Sequence, residues 1–182
     1  PTSYMAIKSK YDFVGGYEED AHGGLLHVAD HHVSPGKKLW TWGNGDFGKA
    51  WDRNLTDEDG PYIELMTGMY TDNQPDFTWL QPYEEKSWVQ YFMPYSEVGY
   101  VKNATKDALL NLEIKEGKAR LVLYTTGVNS GVRIIVKAIK GTVLLDNTTQ
   151  ISPSEPFIKT FAAEGLKEEE VCVEVRDKEG QI

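Results

Sequence analysis

Between Gly60 and Gly68 the run Gly-Pro-Tyr-Ile-Glu-Leu-Met-Thr-Gly places one acid, Glu64, inside an otherwise apolar strand pattern. Alternate side chains of a strand share a face, so Glu64 is expected to point with Tyr62 and Met66, leaving Ile63 and Leu65 to pack on the other side. A carboxylate beside aromatic and thioether groups is partly desolvated, which suits it to accept a hydroxyl hydrogen bond or to act as a general base. The alternative is a solvated edge-strand acid paired with a lysine or arginine. Trp40, Trp42, Trp51 and Trp79 supply flat apolar faces in the same half of the chain, and Arg53, Asn73 and Gln74 supply polar groups. That combination suits a sugar, whose C–H faces stack on aromatic rings while charged and amide groups hold its hydroxyls.

Three histidines, His27, His31 and His32, invite a metal reading. In a strand from Leu25 to Val33, His27 and His31 would share a face about 13 Å apart, from four residues at ~3.3 Å each, and His31 and His32 would point to opposite faces. No metal site is expected, but one buried imidazole and two surface ones. The acidic segment Asp52 to Gly60 has the wrong offsets for a calcium-binding EF-hand loop and reads as a solvated turn.

The elements around these residues are short strands. They are read at Tyr4 to Ile7, Tyr11 to Val14, Leu25 to Val33, Lys38 to Trp42, Ile63 to Met66, Phe77 to Leu80 and Lys86 to Pro94. Gly43-Asn44-Gly45-Asp46 forms a turn, and Phe47 to Asp52 leads into the acidic loop. All five Trp and nine of ten Tyr lie before residue 101. From there the pattern becomes plainly aliphatic: Leu110, Leu112 and Ile114, the turn Glu116-Gly117, then Leu121 and Leu123, then Val132 to Ala138, and finally Val171, Val173 and Val175. About seven short strands at this spacing predict an immunoglobulin-like sandwich. The expected domains are residues 1–98 and 99–182, and the fold class is all-β.

With 182 residues, 40% hydrophobic, a net charge of -9 and a pI near 4.9, the chain is globular and lacks the clustered Lys and Arg that binding to a phosphate backbone requires. Nucleic acid is not an expected partner. No stretch approaches the ~20 apolar residues of a membrane span, so no membrane is expected either. The one cysteine, Cys172, has no internal disulfide partner and fits a reducing, cytoplasmic setting.

Residues Ile63-Glu64-Leu65, Asp72-Asn73-Gln74-Pro75-Asp76-Phe77, Leu80-Gln81-Pro82-Tyr83-Glu84-Glu85 and Val89-Gln90-Tyr91-Phe92 together resemble the C-terminal part of the galactose-mutarotase-like supersandwich, the fold of aldose 1-epimerases. The resemblance implies that Glu64 occupies the position of the general base acting on the anomeric hydroxyl. A closer likeness rests on His27-Val28-Ala29-Asp30-His31-His32, on Pro35 to Gly43, and on Ala50 to Asp57. It is similar to a bacterial domain family of unassigned function found ahead of tetratricopeptide repeats and built on the same supersandwich. It implies that half of the supersandwich lies upstream of Pro1, with repeats downstream.

The expected fold is then a partial supersandwich followed by the small sandwich. The expected function is carbohydrate binding, with a sugar or oligosaccharide held by Glu64, Trp42, Trp51, Arg53, Tyr62, Asn73, Gln74 and His31, and with no cofactor. The epimerase's acid residues fall upstream of this segment, so turnover by the segment alone is not expected. A non-catalytic assembly module is the alternative, and exposed sheet edges would predict homodimer contacts.

Overall fold

The computed structural model describes residues 3–73 and 75–180, and these form an all-β chain with one α-helix and one short 3-10 turn. The chain divides into two compact units: Pro1–Gly15 with Leu26–Phe92, and Gly16–Leu25 with Met93–Ile182.

In the first unit, β1 (Tyr4–Ala6), β4 (Lys37–Thr41) and β5 (Ile63–Met66) form an antiparallel sheet in the order β1-β4-β5. In chain order β2 (Phe13–Glu18) and β3 (Gly23–Val28) fall between β1 and β4, and with β6 (Tyr91–Ser96) they form a separate sheet in the order β2-β3-β6, each strand having residues assigned to both units. Strand β2 therefore runs through Gly15 and Gly16 instead of ending there.

The segment read from sequence as a turn and lead-in is α1 (Asp46–Leu55). Gly48 and Asn54 weaken its helix signal. Its ends nevertheless obey helix chemistry, with Asp46 in the first turn and Arg53 in the last, each complementing the helix dipole. Thr56 closes the helix, its backbone N–H and hydroxyl donating to Asp52 O at 2.8 and 3.1 Å. Gly48 is required here because a Cβ would stand 2.0 Å from Gly43 O and 2.4 Å from Trp42 O. The helix lies that close to the backbone leaving β4.

Four other expectations are corrected. Strand β3 stops at Val28, and Asp30 to Ser34 form a tight turn in which Asp30 O accepts from Val33 N at 3.1 Å and Ser34 N at 2.7 Å. No strand forms over Phe77 to Leu80, and the long strand read from Lys86 begins only at Tyr91. Apolar runs make strands only where another strand pairs with them, and the described part of residues 67–90 has no such partner. Ile63, expected to pack, is 51% exposed.

The second unit follows the sequence pattern closely. β7 (Asn103–Ala104), β8 (Ala108–Lys115), β9 (Lys118–Thr125) and β12 (Phe157–Ala162) form one sheet in the order β12-β9-β8-β7. β10 (Asn129–Ala138), β11 (Val143–Ile151) and β13 (Val171–Arg176) form the other in the order β11-β10-β13. Strand β9 is thus flanked by β8 and β12, and β10 by β11 and β13, the interleaving of an immunoglobulin-like sandwich. The β8–β9 hairpin closes on Glu116 and Gly117 with φ of 50° and 73°, the doubly positive turn that matches strand twist.

Inward positions pair within each sheet and meet in one core between the two sheets. Leu112 pairs with Leu121, Ile134 with Val175 and Val136 with Val173, and Leu121, Ile134, Val136 and Ile151 are fully buried in a shared core. Cys172 lies on the exposed face of β13, opposite Lys137. Within this unit Tyr95 is buried, stacks on Tyr17 at 6.0 Å and donates its hydroxyl to Gly99 O at 3.2 Å.

Candidate functional site

Two groups of side chains in the first unit carry chemistry. The first is the β4–β5 face. The antiparallel register sets Trp40 directly opposite Glu64 and Lys38 opposite Met66, and directly opposed residues share a face. One step beyond the strands, Trp42 and Tyr62 extend that face with ring centroids 5.4 Å apart at 50°. Helix α1 positions the pair from both ends. Gly48 allows it against Trp42, and Asp52 Oδ1 accepts the Tyr62 backbone N–H at 3.0 Å. Trp40, Trp42, Tyr62 and Glu64 are all half-buried.

Among the described residues no hydrogen bond or ion pair engages the Glu64 carboxylate. The neighbouring Lys38 ammonium donates instead to Asp72 O at 2.8 Å. What results is an uncommitted carboxylate on an aromatic surface, able to accept hydrogen bonds from a ligand.

The other expected contacts are placed as follows. Trp51 is exposed on α1 and meets Phe47 edge-on at 6.3 Å. Arg53 is exposed in the last turn of α1. Asn73 is half-buried, and its backbone carbonyl accepts from Asp76 N at 2.8 Å. Gln74 lies outside the described residues. His31 belongs to the second group. The structure therefore brings together Trp42, Tyr62 and Glu64, with Trp40 added. No hydrogen bond or ion pair among the described residues joins Arg53, Asn73 or His31 to them.

The second group surrounds the turn after β3. Because the chain turns at Asp30, His31 and His32 do not point to opposite faces as a strand would require; their rings lie 3.9 Å apart. His31 Nδ1 is 2.6 Å from Asp12 Oδ1, which also accepts the His31 backbone N–H at 2.8 Å. His32 is held in the same way by Asp30 Oδ1, at 3.0 Å from the ring and 2.8 Å from the backbone N–H.

For Asp12, burial raises the carboxyl pKa, but the His31 backbone and ring outweigh it and hold the group below its ordinary value. The His32 backbone N–H does the same for Asp30. His27 is fully buried, its Nε2 3.2 Å from Gln90 Oε1, and burial lowers its pKa. Lys37 is also buried, and its Nζ has no hydrogen-bond partner among the described residues. Burial pushes its pKa down, while Asp12 and Asp30 pull it back up.

The turn is braced from behind. Ser34 Oγ contacts Thr67 Oγ1 at 2.8 Å and donates to Gly68 O at 3.1 Å, and Gly36 N donates to the same carbonyl at 2.9 Å. Sequence reasoning missed Asp12, Asp30 and Lys37. The available signal was Asp30 itself, a residue type that starts turns by bonding to the backbone two residues on, in a segment closed by Ser34-Pro35-Gly36.

Among the described residues no helix is long and apolar enough to cross a membrane. No solved structure matches the chain. Residues 103–182 match the second domain of YphG-like protein. Residues 1–95, 95 of the 182 and so just over half, match the domain of unknown function DUF5107, and the chain belongs to that family.

Proposed function

We propose that the first unit is a carbohydrate-binding module whose ligand lies on the β4–β5 face, with Glu64 accepting sugar hydroxyls beside Trp40, Trp42 and Tyr62. One observation carries this reading: the register that pairs Trp40 with Glu64 sets a half-buried, unengaged carboxylate on the same face as the Trp42–Tyr62 contact. Sugars are held by this combination of flat apolar surface and fixed acceptor.

The likeness to aldose 1-epimerases adds a role for Glu64 as base at an anomeric hydroxyl within a larger supersandwich, associated with tetratricopeptide repeats. Opening a pyranose ring needs an acid at the ring oxygen as well as that base, so binding without turnover is proposed for these residues alone. A cytoplasmic setting goes with this reading, supported by a single cysteine that has no disulfide partner.

The test is calorimetry of the chain against a panel of mono- and oligosaccharides, beside Glu64→Gln. Hydrogen bonds to a charged group contribute ~1.5–3 kcal/mol, so the variant should bind at least tenfold more weakly. Equal binding by parent and variant would remove Glu64 from the site, and no binding across the panel would end the proposal.

A second reading, an assembly surface, is favoured by a different observation. Phe77, Trp79, Leu80, Tyr83, Trp88 and Val89 are all exposed along one connection, and exposed apolar runs of this kind mark protein contacts. Light scattering that shows a homodimer, broken by Trp79→Ser, would support it; a monodisperse monomer would count against it.

A further inference from the structure

We propose that Asp30, His31 and His32 bind one divalent transition-metal ion, with Asp12 as the positioning partner of His31. One donor atom from each of the three lies within 4.8 Å of the other two. A four-coordinate ion with ligands at ~2.0–2.2 Å brings its donors to about 3.5 Å of one another, so a small closure completes the site. Packing does not oppose that closure, since the side chains of His32 and Asp30 are 77% and 60% exposed and are held chiefly by each other.

The backbone beneath them is fixed. Asp30 O accepts two turn hydrogen bonds, Asp12 Oδ1 holds the His31 backbone, and Ser34 is tied to Thr67 and Gly68. The His31 contact repeats a feature of metal-ligating histidines, in which one ring nitrogen donates to a carboxylate and the other is left for the ion.

Charge favours a cation. Asp12 and Asp30 together carry two negative charges, and the Lys37 ammonium interacts with both. With neutral imidazoles the cluster is net negative by one. Two imidazole nitrogens and one carboxylate oxygen suit zinc, cobalt or nickel better than calcium or magnesium, which take oxygen ligands. Three protein donors also leave a coordination position for water. This site is independent of Glu64, so its failure or success does not bear on sugar binding.

The experiment titrates the metal-free chain with zinc by calorimetry and with cobalt by visible absorption. The expected result is one equivalent bound, with ligand-field bands for cobalt. Asp12→Asn should weaken binding ~10–100-fold, the usual effect of losing an orienting carboxylate. His32→Ala, at an exposed position that leaves the fold intact, should weaken it by at least as much. Lys37→Met should tighten it by removing a competing charge, and His22→Ala, outside the cluster, should leave it unchanged. Absence of saturable binding, or affinity that survives His32→Ala in a chain with parental circular dichroism, would overturn the assignment.

Discussion

Replacing Gly48 by alanine sets two known effects against each other, and the structure decides the sign. Alanine favours a helix interior over glycine by about 1 kcal/mol, so propensity alone predicts stabilisation. The new methyl group, however, would stand 2.0 Å from Gly43 O and 2.4 Å from Trp42 O, where carbon–oxygen contact needs roughly 3.4 Å, near the optimal van der Waals separation. Both atoms are backbone carbonyls and cannot rotate aside, so α1 must move away from the end of β4 by roughly 1.4 Å to clear Gly43 O. Overpacking costs ~1–3 kcal/mol, and a clash with two backbone oxygens at 2.0 and 2.4 Å falls at the upper end, so after the propensity gain of about 1 kcal/mol the net expectation is destabilisation of about 2 kcal/mol. Displacing α1 also loosens Asp52 from Tyr62 and Trp42 from its ring contact, so sugar binding should fall with stability. Because all five tryptophans precede residue 101, their fluorescence in urea reports the first unit alone, and the shift is read by linear extrapolation. Lys49→Ala, exposed on the same helix, is the control and should change stability by less than about 0.5 kcal/mol. If Gly48→Ala is as stable as the parent or more so, the close approach of α1 to β4 is wrong.

Burial, and after it the charge of Tyr17, pushes the Tyr95 phenol up to about 12 from 10.0. Below pH 10 the group is protonated whether folded or not; between about 10 and about 12 only the unfolded chain ionises, so stability is lost as pH rises through that window. The second unit should lose up to ~3 kcal/mol from this group, at ~1.4 kcal/mol per pKa unit, and Tyr95→Phe should flatten that part of the curve in urea titrations followed by circular dichroism. An unchanged curve would mean the phenol is solvated. On β10, Ile134→Ala should cost ~2–5 kcal/mol, because the side chain is fully buried. Its neighbour Arg133, bonded to Asp146 in the open at 3.1 and 2.8 Å, should cost under ~1 kcal/mol as alanine; similar costs for the two would contradict the inward and outward alternation.

Period-two alternation by itself determined the core-facing positions of the second unit. Leu112, Leu121, Leu123, Val132, Ile134 and Val136, with the partly buried Leu110, could be assigned from sequence because core-facing positions of a strand repeat every second residue, and Glu116-Gly117 marked the hairpin because few residues accept positive φ at both positions; the same pattern did not show that Leu109, Asn111, Val122 and Tyr124, on the other face of β8 and β9, are buried as well. The shared face of Tyr62 and Glu64 was legible for the same reason. Helix α1 was not, since Gly48 and Asn54 argue against a helix locally, and the reason for Gly48 lies in the backbone of Trp42 and Gly43, which the helix can meet only after folding. The pairing of Glu64 with Trp40 likewise depends on the register between β4 and β5, which links residues far apart in sequence. His31 and His32 show the limit most plainly. As strand residues they would diverge, but a turn held by Asp30 and by Asp12, 19 residues upstream of His31, sets them side by side. Local pattern determines which faces are buried. Which distant carboxylate meets which imidazole is decided by long-range hydrogen bonds, because these form only once the chain has closed on itself.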